Sequence, residues 1–168
     1  MLLKSRYDIL MGRPGHEVPD PVPPKRGTVV YGGPGSGKTR CLINDLIYQI
    51  TKDPSKCAIF LDNVGNTQLH YLLPPDIFAR TMVFQMSQDS ELRSLQDLPQ
   101  NGRCLYIDNF DRYSLHSQES FRDLIYTSER VFLSSSTDLC DKIPNSWEIL
   151  KLNDFIPTTH QQPHPKLF

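Results

Sequence analysis

The chain has 168 residues, 38% apolar and 22% charged, which suits one packed domain and excludes a disordered polyelectrolyte. Eighteen Lys and Arg against 19 Asp and Glu leave a net charge of −1, so no overall basic field draws in nucleic acid. No apolar run reaches the length of a spanning helix, and MLLKSRYDIL lacks the layout of a secretory leader.

Of the 14 prolines, eight fall within residues 14–24 and 157–165. Proline removes backbone donors and favours extended or polyproline backbone. Residues 1–26 are therefore expected to be an amino-terminal arm and proline-rich linker, 27–155 the packed domain, and 156–168 a flexible tail. The domain opens with Thr28-Val29-Val30-Tyr31, a β-branched and aromatic run that reads as a strand. Residues 39–51 then have helical spacing. Cys41, Leu42, Leu46 and Ile50, with Ile43 and Ile47, form the apolar stripe, and Asn44, Asp45 and Gln49 are assigned to the opposite face. Short buried-strand candidates recur at 57–61, 81–85, 103–107, 130–133 and 148–152. Helix-compatible segments fall at 89–98 and at 117–128, where Phe121, Leu124 and Ile125 share a face. Nearly all-apolar strands alternating with helices predict an α/β fold, a mostly parallel sheet with helices on both faces.

Between the first strand and the first helix stands Gly32-Gly33-Pro34-Gly35-Ser36-Gly37-Lys38-Thr39, followed by Arg40. This is a complete G-x-x-x-x-G-K-[ST], and both its flanks have the required character. Glycines let backbone N–H groups converge on phosphate oxygens, and the helix that follows presents its amino terminus to the anion. Gly32 to Arg40 are thus the candidate nucleotide-binding residues, with Lys38 reaching the β- and γ-phosphates and Thr39 placing its hydroxyl on Mg²⁺. Seventy residues after Lys38, the run Arg103-Cys104-Leu105-Tyr106-Ile107 ends in Asp108. An acidic residue at the carboxyl end of an apolar strand reads as a Walker B element, a second Mg²⁺ ligand. Lys38 and Asp108 are the candidate catalytic residues. No base-reading NKxD motif is present to separate ATP from GTP.

Cysteines stand far apart, at 41, 57, 104 and 140, with no CxxC pair. A reduced compartment, cytosol or nucleus, is expected. Arg103, Arg112, Arg122 and Arg130 are scattered among acidic residues and read as solvated surface charges. Lys25-Arg26 is only a pair, whereas binding by counterion release needs several phosphate contacts.

Two strand candidates, 57–61 and 81–84, separate the glycine-rich loop from Asp108, which favours the RecA-like and AAA+ branch over nucleoside kinases. Here the sequence resembles the RecA/RadA recombinase family, above all its small degenerate paralogues. The similar segments are Asp8-Ile9-Leu10-Met11-Gly12, GGPGSGKTR, Ile59-Phe60-Leu61-Asp62 and Met82-Val83-Phe84. Arg130-Val131-Phe132-Leu133-Ser134-Ser135-Ser136 takes the place of the strand that carries a polar sensor. FLDNVGNTQL, MVFQMSQDSELRSL, LYIDNFDRY and IPNSWEILKL further resemble the small ATPase subunits of Shu-type complexes, which partner SWIM-type zinc-finger proteins.

The resemblance spans most of 27–153. It implies a RecA-like P-loop NTPase core and a nuclear (alternatively cytosolic) ATP-binding subunit in a hetero-oligomer for homologous recombination and DNA repair. A SWIM-type zinc-finger protein, a recombinase, or both would be its partners, with DNA reached through the complex. The amino-terminal arm becomes a candidate tether.

Departures from the family bear on activity. The recombinase glutamate expected just after the second strand is replaced by Asp62-Asn63-Val64-Gly65-Asn66, and Asn109 follows Asp108 where AAA+ proteins carry a glutamate. The base is therefore unassigned, with Asp62, Asp111 and Glu119 the available carboxylates. Slow, partner-dependent or absent ATPase activity is expected. Two other classes stay open: an AAA+ type DNA-associated ATPase of the initiator-loader or packaging kind, and a structural subunit with a relic nucleotide site.

Overall fold

A computed structural model describes residues 27–62, 68–84, 102–139 and 141–153. The arm 1–26, the helix expected at 89–98, Cys140 and the tail 156–168 lie outside the described residues. In chain order the elements are β1 (Gly27–Tyr31), α1 (Lys38–Lys52), β2 (Cys57–Asp62), α2 (Leu69–Leu72), α3 (Pro75–Phe78) and β3 (Thr81–Phe84). Then come β4 (Arg103–Asp108), a 3-10 turn (Phe110–Arg112), α4 (Leu115–Ser120), α5 (Arg122–Thr127), β5 (Arg130–Ser135) and β6 (Glu148–Lys151).

The six strands form one sheet in the order β3-β2-β4-β5-β1-β6, and every pairing among the described residues is parallel. All carboxyl ends therefore gather at one edge, where the connecting loops of open α/β sheets form crevices. β5 lies between β1 and β4, so the strand that precedes the glycine-rich loop is not a neighbour of the strand that ends in Asp108.

Alternation along the strands divides the core in two. Val29, Tyr31, Leu105, Ile107, Val131 and Leu133 face one layer, which Phe110, Phe121, Leu124 and Ile125 complete. Val30, Phe60, Cys104, Tyr106 and Phe132 face the other, covered by Leu42, Leu46 and Ile50 of α1 and by Leu69 and Ile77 of α2 and α3. Helices on both faces explain why the strands read as continuous apolar runs. Removing a fully buried side chain such as Ile50 would cost about 2–5 kcal/mol.

Local details depart from the sequence expectations. The helix expected at 117–128 begins earlier, where the Ser114 hydroxyl caps it by accepting from the Ser117 N–H, and it breaks into α4 and α5 at Phe121. The Phe121 ring is fully buried, edge-on to Tyr113 at 5.0 Å between centroids.

Asp45 and Gln49 are not on the solvent side of α1. Both are buried, at 1% and 3% exposure, on the stripe Lys38, Cys41, Leu42, Asp45, Leu46, Gln49. Two of the four arginines read as solvated are buried as well, Arg103 at 1% and Arg130 at 3%. Each is the first residue of its strand, and the polar groups around it make its burial possible. Arg130 donates to Asp45 from Nε at 2.9 Å and from a terminal nitrogen at 2.8 Å, while the Tyr106 hydroxyl donates to the same carboxylate at 2.9 Å. Arg103 bonds the hydroxyls of Ser128 and Thr127. Arg112 and Arg122 are exposed, as expected.

Candidate functional site

The segment 32–39 turns out of β1 and into α1 in a tight loop. Gly35 (φ 75) and Gly37 (φ 97) occupy the left-handed region that side-chain-bearing residues avoid, so glycine is what permits this path. The loop is tied to its neighbours by the Gly32 N–H, which donates to the Ser135 carbonyl at 3.2 Å. Within it, the Ser36 hydroxyl and N–H both donate to the Gly33 carbonyl. Gly37 caps α1 without a side-chain acceptor, and no acidic residue occupies the first turn. The first N–H groups of a 15-residue helix are therefore left for an external anion.

Residues 33–39 line a cavity of about 330 Å³, closed on its other side by Asn109, Arg112 and Ser136. The Lys38 ammonium lies across it, donating to the carbonyls of Gly32 (2.5 Å) and Gly33 (3.2 Å) and to the Ser136 hydroxyl (3.0 Å). Burial lowers its pKa; the Asp111 and Asp108 carboxylates oppose that shift, and the Arg112 charge adds to it. Arg40 is exposed, and it is not among the residues that line the cavity.

Asp108 ends β4 at 2% exposure. Its Oδ2 accepts from the Thr39 hydroxyl at 2.8 Å and its Oδ1 from the Ser134 hydroxyl at 2.6 Å. Burial holds its pKa above the ordinary carboxylate value, and Asp62 pushes the same way. The bonds from Ser134 and Thr39, with the Lys38 charge, pull it back. A hydroxyl and a carboxylate meeting in this way are hard oxygen donors of the kind that hold Mg²⁺, so the two residues expected to ligate it fit that ion.

The three candidate bases separate. Asp62 is buried at the end of β2, directly in register with Asp108 on β4. The Asp111 carboxylate accepts from the Ser136 N–H at 3.2 Å, joining the turn after β4 to the turn after β5. Glu119 is exposed on α4 and does not line the cavity. Of the sensor segment 134–137, Ser134 reaches Asp108 and Ser136 reaches Lys38, while Ser135 bonds locally to the Thr137 carbonyl.

Compared with protein-family models and with curated proteins, the chain matches none. The site's reading therefore stands on its own geometry. Sequence reasoning missed one lining residue in particular. Arg112 was grouped with surface charges, although the turn-forming run Asp108-Asn109-Phe110-Asp111-Arg112 brings it back towards the end of β4. Tyr113 is a core residue and does not line the cavity. Its buried hydroxyl has no hydrogen-bond partner among the described residues. Burial, then the Asp62 and Asp108 carboxylates, drive its pKa upward. Chemically, the cavity offers backbone N–H groups, two cations and an adjacent carboxylate, a combination suited to a phosphate chain with its metal.

Proposed function

We propose that this chain is an ATP-binding subunit with a RecA-like P-loop core, similar to recombinase paralogues, working in a hetero-oligomer in nuclear homologous recombination and DNA repair. The observation that carries the nucleotide reading is the 2.8 Å bond between Thr39, at the mouth of the glycine-rich loop, and Asp108, at the end of β4. The strand order supports the RecA-like branch, because β5 lies between β1 and the Asp108 strand in the sheet, while β2 and β3 lie between them in the sequence.

In this reading Lys38 exchanges the Gly32 and Gly33 carbonyls for phosphate oxygens, and the N–H groups of the loop and of α1 bind the rest of the phosphate chain. Thr39 and Asp108 would hold Mg²⁺, which would supply charge neutralisation at the phosphates. Ser134 keeps Asp108 oriented through its 2.6 Å bond. No glutamate follows β2 or Asp108 to activate water, so hydrolysis is slow, and ATP acts mainly as a conformational ligand whose γ-phosphate favours one state of the assembly. The balanced charge favours DNA contact through partners, a SWIM-type zinc-finger protein or a recombinase.

Equilibrium binding of ATP with Mg²⁺ to the purified full chain tests the first half; no saturable binding would sink it. For the second half, capture of the tagged chain from cells followed by mass spectrometry should recover one of those two partner classes. Recovery of neither counts against the recombination assignment while leaving nucleotide binding standing.

A further inference from the structure

We infer that Arg112 reads the terminal phosphate, so that the chain distinguishes nucleoside triphosphate from diphosphate with an arginine of its own. The inference rests on the nucleotide-binding reading above and concerns a residue outside the glycine-rich motif.

Arg112 lines the same cavity as residues 33–39, entering from the wall formed by the turns after β4 and β5. Its backbone is fastened on both sides. Asn109, at φ 51 the one non-glycine residue with positive φ among those described, donates its N–H to the Ser134 hydroxyl at 2.7 Å. The Asn109 carbonyl in turn accepts from the Arg112 N–H at 2.9 Å. Phe110 is fully buried, and the Gln118 amide donates to the carbonyls of Phe110 (3.2 Å) and Tyr113 (3.0 Å). The Asp111 carboxylate is bonded to the Ser136 N–H. The turn fixed by these bonds carries Arg112 to the cavity wall.

The side chain it presents is unengaged. Among the described residues the Arg112 guanidinium makes no hydrogen bond or ion pair. Arg103 and Arg130, by contrast, are engaged by partners within the fold. Arg112 and Lys38 line the same cavity. Two like charges across one cavity repel until an anion comes between them, and a guanidinium offers a planar fork for phosphate oxygens. In a loop of this type the lysine meets the β- and γ-phosphates, so an arginine beside that lysine lies at the γ end. A diphosphate leaves that end empty.

The test is equilibrium binding of fluorescent ATP and ADP, each with Mg²⁺, to the full chain and to Arg112→Ala, Arg112→Lys and Arg122→Ala. Arg122 is an exposed arginine on α5 that does not line the cavity. A lost charge-assisted bond to phosphate predicts an ATP affinity about tenfold or more weaker in Arg112→Ala, with ADP affinity changed less than about twofold. Arg112→Lys should recover part of the loss, and Arg122→Ala should match the unsubstituted chain. Equal losses for ATP and ADP, or no loss for either, overturn the inference while the nucleotide site stands. Failure of the unsubstituted chain to bind either nucleotide removes the site and the inference together.

Discussion

β4 and β5 each carry polar groups at both ends, and the two ends treat them differently. At the amino ends, Arg103 and Arg130 are buried with every strong partner in place: hydroxyls and a carbonyl for the first, the Asp45 carboxylate for the second. At the carboxyl ends, Asp108 and Lys38 are also buried, and burial opposes their charge as it opposes that of Arg103. Burial raises the Asp108 pKa and lowers that of Lys38, and Arg112 faces the same cavity unpaired. Arg103 and Arg130 are thus bonded within the fold, whereas the Arg112 guanidinium, among the described residues, keeps its donors for a ligand. One sheet thus has a structural polar end and an end that carries the candidate site.

The comparison breaks most easily at the Arg130–Asp45 pair. Arg130→Ala leaves the Asp45 carboxylate buried without its guanidinium partner, and such removals cost about 3–5 kcal/mol, a large share of a domain's ~5–15 kcal/mol. Urea unfolding of the full chain measures it, and a loss below about 1 kcal/mol would mean that this end is not what holds the sheet to α1. At the functional end Lys38→Ala should act in the opposite register. ATP affinity falls by about 10- to 100-fold with the lost charged contact, while unfolding free energy moves by less than about 1 kcal/mol. A large stability loss in Lys38→Ala would erase the distinction between the ends.

Ser134→Ala sharpens the boundary. Its hydroxyl donates to Asp108 and accepts the Asn109 N–H, so its removal should cost about 1–2 kcal/mol of stability. The Ser134 bond lowers the Asp108 pKa, so its loss should raise that pKa further. An NMR titration of the Asp108 carboxyl reads the direction, and an unchanged titration would separate the two groups.

Much of the functional end was legible in the sequence because it is local or periodic. Gly32 to Thr39 is a contiguous motif, and the strand carrying Asp108 is a continuous apolar run of the kind that a doubly covered sheet requires. The structural end was misread, although part of its signal was present. Positions 38, 41, 42, 45, 46 and 49 follow helical spacing, so Asp45 and Gln49 lay on the apolar stripe itself. Polarity suggested solvent for them, yet an acidic residue on a buried stripe implies a buried cation elsewhere. That cation is 85 residues away, a separation over which periodicity says nothing. Arg112 was hidden for a related reason: its importance comes from a turn that closes only when β5 supplies Ser134 and Ser136.

The smallest expected change carries its information in its sign. Asp108 has a higher pKa in the folded chain than its ordinary value, chiefly through burial, so the folded state holds the proton more tightly than the unfolded state. Such a group weakens folding as pH rises from the ordinary carboxylate range through the folded value, and acidification relieves the penalty. Asp108→Asn keeps a neutral side chain of nearly the same shape at every pH. The two proteins should therefore match in stability at acid pH, and the variant should become the more stable as pH rises to neutrality. Urea unfolding across that range reads the difference. Addition of ATP and Mg²⁺ should reverse it, because the unsubstituted chain gains more binding free energy than a chain lacking the carboxylate. An Asp108→Asn variant less stable at neutral pH without nucleotide would mean that Asp108 is satisfied within the fold, as Asp45 is, and that the two ends of the sheet do not differ in kind.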